Sequence, residues 1–410
     1  MNKKLLTVAI GTALGVVPML SAQADVKIGG RAQVEAYSAR AECNVGTNNA
    51  AGAVGIFVGS GICSSANPEG ARAQGLIDAA RGRFWITADE DLGAGLKGLA
   101  HFEFSVDTAN SGQPLSEGNS AAPYDTTVRG LDNRNREKFV GISGAFGTLK
   151  LGHQESIYKH TGGARWDMFH NTVLEARGNG GSSGGADVNR SFAHNGRVAG
   201  AIKYESNKAL GDMVAIGLLY APHKSSNGAG DTGTGNDYQV SVSVKPIKDL
   251  EIVAAHSNNK SQPDGTTAGV PFSDQTANKV GVRFSFLNMH TLFAQYEKLD
   301  MNNSAVAAGT PGVPTGAGIS TATVIDGTYL LLGYSLKLGS FGAILQGGKH
   351  EREVTAAFGG ELEADYAATG VTYNLSKTMY TWLGYRQTEA TQAAVTNEQK
   401  VVALGMRKDF

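Results

Sequence analysis

The chain has only two cysteines and ten prolines in 410 residues, and its charges nearly cancel, with 36 Lys and Arg against 37 Asp and Glu. Nucleic-acid binding needs a concentrated excess of basic residues, so this balance argues against such a partner. Beyond the first twenty residues, no apolar run reaches the roughly 18 residues that a membrane-spanning helix needs. The composition therefore excludes a helical membrane protein and leaves a β-structured one open.

Glycine, in contrast, is abundant. The 55 glycines follow no collagen period, and hydrophobic residues make up 41% of the chain against 18% charged residues. This balance is that of a chain that folds, because disordered proteins combine low hydrophobicity with high net charge.

The amino terminus has the pattern of a secretory signal. Two lysines precede an apolar stretch over residues 5–20, and Ala22-Gln23-Ala24 supplies the small residues that signal peptidase requires. We predict a signal peptide over residues 1–24 and one exported domain over residues 25–410.

Export also bears on the expected state of the two cysteines. Cys43 and Cys63 lie in a polar segment rich in Gly, Asn and Ser, which predicts a loop in an oxidising compartment. One disulfide closing that loop is the favoured interpretation. A metal or redox role is the alternative, but neither a CxxC motif nor a nearby histidine supports it.

Polar and apolar residues alternate along much of the chain. The alternation is regular over residues 26–37, 237–245, 279–286 and 399–410. A period of two predicts β-strands with one apolar and one polar face, whereas a helix would repeat its apolar residues every three or four positions. Helix is therefore expected to be a minor component.

The predicted connections between these strands alternate in length. Seven short links, for example 245–249 and 287–289, alternate with eight long ones, of which the third runs over residues 156–190. This predicts an all-β fold, an antiparallel up-and-down transmembrane β-barrel of about sixteen strands with both termini on the short-turn side. A sheet can cross a bilayer only if it closes, because hydrocarbon offers its backbone no hydrogen bonds.

A soluble β-sandwich has the same period, so the period alone does not separate the two. The number of strands and the lack of a Pro-rich linker favour the barrel. The charged residues on the polar face of the strands also favour the barrel. Each unpaired charge buried in a dry core would cost several kcal/mol, whereas in a wide barrel these side chains can face a water-filled interior. These residues are Arg31, Glu35, Arg81, Arg83, Lys97, His101, Glu103, Lys150, Arg197, Lys203, Lys279 and Arg283.

Four segments resemble the Gram-negative general-diffusion porins, and most of all their β-proteobacterial, neisserial-like branch. They read DVKIGGRAQVEAYS at residue 25, GRFWITADEDLGAGLKGLAHFEF at 82, KFVGISGAFGTLKLGHQ at 138 and VVALGMRKDF at 401. The resemblance implies a homotrimer of sixteen-stranded barrels in the outer membrane, each pore narrowed by an inward-folded third long loop. It also implies that Phe410 is the signal read by the barrel-insertion machinery.

Transferred to this sequence, the constriction loop follows Gln154. In such porins, basic residues on the wall face acidic residues on this loop, and the resulting field selects ions. The loop acids here are Glu155, Asp167, Glu175 and Asp187, and the wall bases are Arg31, Arg81, Arg83, Lys150, Arg197 and Lys203.

The family often has Arg where this chain has His153, and a histidine titrates near neutral pH. We therefore predict a mild anion preference that strengthens on acidification. The alternative is that these charges only solvate the lumen. The expected partners are outer-membrane lipid, ions and small hydrophilic solutes.

Other chemistries are poorly supported. Residues 181–185 match the GxSxG motif but lie in a Gly/Ser run without a following helix. Residues 231–237 faintly resemble a Ca²⁺ loop but lack its bidentate Glu. Four histidines, His153, His160, His170 and His194, have no ligand-pair spacing. No nucleophile with a histidine partner supports a barrel enzyme, and no residues remain for the globular domain of a structural tether. We expect no enzymatic activity, no cofactor and no metal.

Overall fold

The computed structural model describes residues 24–43, 72–78, 82–106, 108–109, 131–132, 136–176, 197–206, 213–222, 236–261, 272–304, 324–353, 361–392 and 395–410. The first nine strands are β1 (Asp25–Cys43), β2 (Arg72–Ile77), β3 (Arg83–Gly93), β4 (Leu96–Val106), β5 (Leu131–Asp132), β6 (Lys138–Gly144), β7 (Gly147–Glu155), β8 (Arg197–Glu205) and β9 (Val214–Ala221). The other nine are β10 (Asp237–Ile247), β11 (Leu250–Ser261), β12 (Phe272–Phe286), β13 (His290–Ser304), β14 (Val324–Leu338), β15 (Phe341–Glu353), β16 (Leu362–Asn374), β17 (Met379–Gln392) and β18 (Val395–Asp409).

Two single-turn helices follow β7, α1 (Ile157–His160) and α2 (Gly163–Trp166). Among the described helices, none has the length and apolar character needed to span a membrane.

Several sequence predictions fall outside the described residues. They concern the signal peptide, which is described only at its last residue, and the side chains of Arg81, Asp187 and Cys63. The backbone of Cys43 ends β1, but its side chain is not described either, so the disulfide stays a prediction.

The eighteen strands make sixteen crossings, the predicted number, in one antiparallel sheet. The two extra strands arise because two crossings are interrupted. Both β2 and β3 pair with β1, one after the other, and both β5 and β6 pair with β4 in the same way.

The sheet closes on itself between its first and last strands. β1 pairs with β18 from Arg31 opposite Asp409 to Cys43 opposite Asn397. Gly30 and Phe410 complete the seam, because each donates its backbone N–H to the carbonyl of the other at 3.0 Å. The described strands thus form a closed ring, as a sheet in hydrocarbon requires.

The apolar parity faces outward and the polar parity inward. In β12, Val280 is 55% exposed while its neighbour Lys279 is 1% exposed. In β1, Ile28 is exposed and Glu35 is buried. A soluble protein would reverse this arrangement, because burying a charge costs far more than burying a valine. The predicted barrel with a lipid-facing apolar surface is confirmed.

The predicted alternation of link lengths is also confirmed, with one difference. Six of the seven predicted short links lie in the described residues, and they join consecutive strands at one end of the barrel. The seventh, over residues 207–211, lies outside them. The eighth long link is much shorter than predicted, because only two residues separate Gln392 at the end of β17 from Val395 at the start of β18. The third long link enters the barrel, as the next section describes.

Candidate functional site

The described part of the third long link, residues 156–176, is here called the inner loop. It begins with α1, whose first turn is capped because Ser156 Oγ accepts a hydrogen bond from the Lys159 N–H at 3.1 Å. Its apolar side chains Trp166, Phe169 and Leu174 are buried against the inside of the sheet. Close packing there requires glycine on the wall, because a Cβ at Gly281 would collide with Trp166 and one at Gly384 with Leu174.

Tyr158 ties α1 to three strands. Its hydroxyl donates to Glu297 Oε2 on β13 at 2.9 Å, and its backbone N–H donates to Gln239 Oε1 on β10 at 3.1 Å. Its carbonyl accepts from Lys279 Nζ on β12 at 2.8 Å, and that ammonium also lies 4.0 Å from the centroid of the Tyr158 ring. The lysine is fully buried and also pairs with Glu297 at 3.7 Å. This anchor fixes the start of the loop.

Further hydrogen bonds continue along the wall. Arg165 Nη2 donates to Glu251 Oε1 on β11 at 2.7 Å, and Gln346 Oε1 on β15 accepts from the Met168 N–H at 2.8 Å. The carbonyl of Leu174 accepts from the Tyr366 hydroxyl on β16 at 2.7 Å. The inner loop thus follows the wall from β9 to β17 and reaches β1, where Glu35 Oε2 accepts from the Val173 N–H at 3.0 Å.

Two predicted loop acids are buried in the loop instead of facing the wall bases. Asp167 is 4% exposed and Glu175 is 0% exposed. Asp167 accepts hydrogen bonds from the N–H groups of Phe169 and Ala176, each at 3.0 Å, and from Gln346 Nε2 at 2.8 Å. Glu175 accepts one from the Asn171 N–H at 3.0 Å. Both carboxylates therefore hold the fold of the loop itself.

The surroundings of Asp167 change its proton affinity. Burial raises the pKa of Asp167 to about 7, and the nearby charge of Glu175 acts in the same direction. Removing a carboxylate from water disfavours its charged form, and the hydrogen bonds that it accepts offset this only in part.

A group of charged side chains lies on the wall beside the root of the loop. Glu103 on β4 lies 3.2 Å from Arg83 on β3, and 3.8 Å from both Arg136 and Arg197. Arg197 also pairs with Glu155 at 3.1 Å. Glu155, at the end of β7, contacts two residues of α1 as well, Lys159 and His160.

The charged group continues onto the seam. Arg31, opposite Arg83 in the register of β1 and β3, pairs with Asp409 at 2.9 Å, and Arg407 pairs with the same carboxylate at 3.0 Å. We call these nine residues the wall cluster. It contains six basic and three acidic side chains: Arg31, Arg83, Arg136, Lys159, Arg197 and Arg407, with Glu103, Glu155 and Asp409.

Three other predicted wall bases, Lys150, Lys203 and His153, form no ion pair with this cluster among the described residues. Lys150 and Lys203 are opposite one another on β7 and β8, and both pair with Glu205, at 2.6 and 3.2 Å. His153 lies at an irregularity in the register of β7, and its Nε2 is buried and has no hydrogen-bond partner among the described residues.

Sequence reasoning missed Arg136, because it lies in a long link rather than in an alternating strand. Arg407 lies in the alternating segment 399–410 but was not assigned to the site. The available signal for Arg407 was its strand partner, since β18 pairs with β1 and places it beside Arg31.

The geometry is that of a closed barrel with a charged interior, partly filled by a loop that lies against one side. The inner loop lies against the wall from β9 to β17 and reaches β1, and the wall cluster lies beside its root. Residues 9–393 match the Gram-negative porin family. The chain belongs to this family. It forms an outer-membrane channel for passive diffusion.

Solved porins have the same fold at low sequence identity. The anion-selective porin from Comamonas acidovorans is 16% identical with a TM-score of 0.59, covering 95% of this chain and 100% of that one. OmpF of Salmonella typhi, in complex with daunomycin, is 15% identical with a TM-score of 0.59, covering 94% and 97%. OmpT of Vibrio cholerae in its trimer form is 13% identical with a TM-score of 0.57, covering 94% and 99%. No curated protein matches the chain in sequence.

Proposed function

We propose that this porin is a general-diffusion channel for ions and small hydrophilic solutes with a mild preference for anions. The observation that carries the preference is the composition of the wall cluster, where six basic side chains meet three acidic ones. The neighbouring carboxylate of Glu137 reduces this excess of basic side chains but does not remove it. Asp167 and Glu175 lie outside this cluster, because hydrogen bonds hold both carboxylates within the inner loop. A net positive wall raises the local anion concentration in the pore.

The recordings that test the preference use a KCl gradient across a planar bilayer. We expect the reversal potential to favour Cl⁻. Replacing both Arg83 and Arg197 with glutamine should lower the Cl⁻ to K⁺ permeability ratio by about twofold, because two cluster charges are lost. The matched control is Arg283→Gln, an inward-facing arginine of β12 outside the cluster, which should change the ratio little. A wild-type channel that favours K⁺ would refute the preference.

The same recordings at pH 5 and pH 8 test His153. A buried nitrogen without a hydrogen-bond acceptor gains little from a proton. We therefore propose that the arginines carry most of the preference at both pH values. A rise at pH 5 that disappears in His153→Gln would instead assign the acid-dependent part to this histidine.

We further propose that the channel is a homotrimer of the neisserial-like branch, is inserted by the barrel-insertion machinery through Phe410, and has no catalytic activity. Support for the trimer comes from the trimer form of the similar Vibrio cholerae OmpT. The four sequence segments similar to neisserial-like porins support the branch. The position of Phe410 at the seam supports a role in assembly.

Single-channel recording also tests diffusion and the trimer together. We expect a large ohmic conductance that closes in three equal steps under high voltage, because three pores close independently. Single-step closures would contradict the trimer while leaving the channel intact, and liposomes that fail to swell in small sugars would contradict the diffusion function.

A further inference from the structure

Three side chains with metal-binding atoms meet on the inner wall. His101 and Glu103 lie on β4, and Glu137 precedes β6 on the neighbouring crossing. Each offers one nitrogen or carboxylate oxygen, and these three atoms lie within 4.8 Å of one another. We propose that His101, Glu103 and Glu137 form a Zn²⁺ site on the pore wall. The inference rests on the proposed channel function only for its effect on conduction.

The imidazole of His101 is held in place on two sides. Its Nδ1 lies 3.1 Å from Thr87 Oγ1, and its ring stacks on Phe139 with the centroids 5.3 Å apart and the planes at 17°. A hydrogen bond at Nδ1 leaves Nε2 to bind a metal. Zinc-binding histidines are oriented in this way, by a hydrogen bond at the nitrogen that does not touch the metal.

The two carboxylates also have partners in the protein. Glu137 Oε1 accepts a hydrogen bond from the backbone N–H of Glu155 at 3.0 Å. Glu103 Oε1 lies 3.2 Å from Arg83 Nη1. Glu137 is therefore oriented by a hydrogen bond and Glu103 by ion pairs, because Glu103 Oε1 accepts no hydrogen bond among the described residues. One nitrogen and two carboxylate oxygens are a donor set that suits Zn²⁺, with a fourth position for water.

The basic residues around Glu103 affect which cation can bind, because their charge opposes the binding of every cation. Arg83, Arg136 and Arg197 lie 3.2 to 3.8 Å from its carboxylate, and they repel any cation that approaches. Ca²⁺ and Mg²⁺ depend on many oxygen ligands and gain little from a histidine. Zn²⁺ binds imidazole strongly, so the site should select zinc over both.

Bound zinc would change conduction through the wall cluster. It would add two positive charges beside Glu103 and Glu137, so the local excess of positive charge would grow. We expect Zn²⁺ to shift the reversal potential in a KCl gradient further toward Cl⁻.

Direct binding is measured first, on the folded protein in detergent, by titration calorimetry with ZnCl₂. We expect one site per chain that His101→Gln weakens at least tenfold. Thr87→Val, which removes only the hydroxyl that orients the histidine, should weaken it by about tenfold to a hundredfold. The matched control is His290→Gln at a short turn, which should leave binding unchanged. The heat-dependent shift of the barrel on gels shows that each variant is folded.

The readouts separate this proposal from the channel function. Binding of Zn²⁺ that is unchanged in His101→Gln would overturn the site and assign the metal to other histidines. Equal affinity for Ca²⁺ would overturn it as well. If zinc binds as expected but conductance is absent, the site stands and the channel function fails. If zinc binds without a shift in reversal potential, the proposed effect on selectivity is wrong.

Discussion

Replacing Glu297 with glutamine is expected to lower the free energy of unfolding by about 3 kcal/mol or more, because it leaves the Lys279 ammonium buried without its counter-charge. Lys279 and Glu297 are both 1% exposed. Glu297 also accepts hydrogen bonds from the Tyr158 hydroxyl at 2.9 Å and from Gln295 Nε2 at 2.6 Å. The substitution therefore weakens the anchor of α1, and single-channel current should become noisier as the loop leaves the wall more often.

A second variant and a control sharpen this test. The double variant Lys279→Met and Glu297→Gln removes both charges and should recover most of the lost stability, because no unpaired charge remains. Glu363→Gln breaks the exposed Lys349–Glu363 pair at 3.6 Å and should change stability little, since water screens that pair. Urea unfolding followed by tryptophan fluorescence measures all three. A single variant as stable as the wild type would show that the pair does not hold the loop.

Replacing Asp167 with asparagine is expected to remove a pH dependence from the opening of the inner loop. The pKa of Asp167 is raised to about 7 in the closed loop, mainly by burial. In an opened loop the carboxyl would meet water and return to an ordinary pKa of about 4. The closed loop therefore keeps a proton that the opened loop gives up. The equilibrium constant for opening of the inner loop should rise by up to tenfold for each pH unit between about 4 and about 7, and should level off at higher pH.

Hydrogen exchange at the amides of Phe169 and Ala176, corrected for intrinsic rates, measures this opening, because Asp167 accepts both N–H groups. His170 lies 3.9 Å from Glu175 Oε2, so its protonation also favours the closed loop at acidic pH. The asparagine variant isolates the part due to Asp167. Asp365→Asn, at an exposed acid on β16, is the control. Corrected exchange that rises equally with pH in the wild type and in Asp167→Asn would contradict the assignment.

The barrel was predictable because its signal is local. The alternation of Lys279, Val280, Gly281 and Val282 already assigns each side chain to a face, and closure follows from the absence of water in hydrocarbon. The interruption between β2 and β3 was not predictable, because pairing with β1 decides where that crossing breaks.

The site was predictable only in part, because its geometry depends on contacts between distant residues. The inward parity of three arginines predicted that they face the barrel interior, and all three belong to the wall cluster: Arg31, Arg83 and Arg197. The roles of Asp167 and Glu175 depend on how residues 167–176 turn, and on Gln346 more than 170 residues later in the chain. Resemblance placed both acids on the correct loop but could not tell whether they face water or the loop's own backbone.

The seam between the ends of the chain has a consequence for how the ring forms. Arg31 and its partner Asp409 are 378 residues apart, whereas most other strand pairs join close neighbours in sequence. Bringing such distant segments together carries the largest loop-closure entropy in the molecule, so this step should be slow and should come last. A chain truncated before Phe410 would lack both hydrogen bonds that join this residue to Gly30. The barrel can therefore shut only after the strand that carries Asp409 and Phe410 has been made.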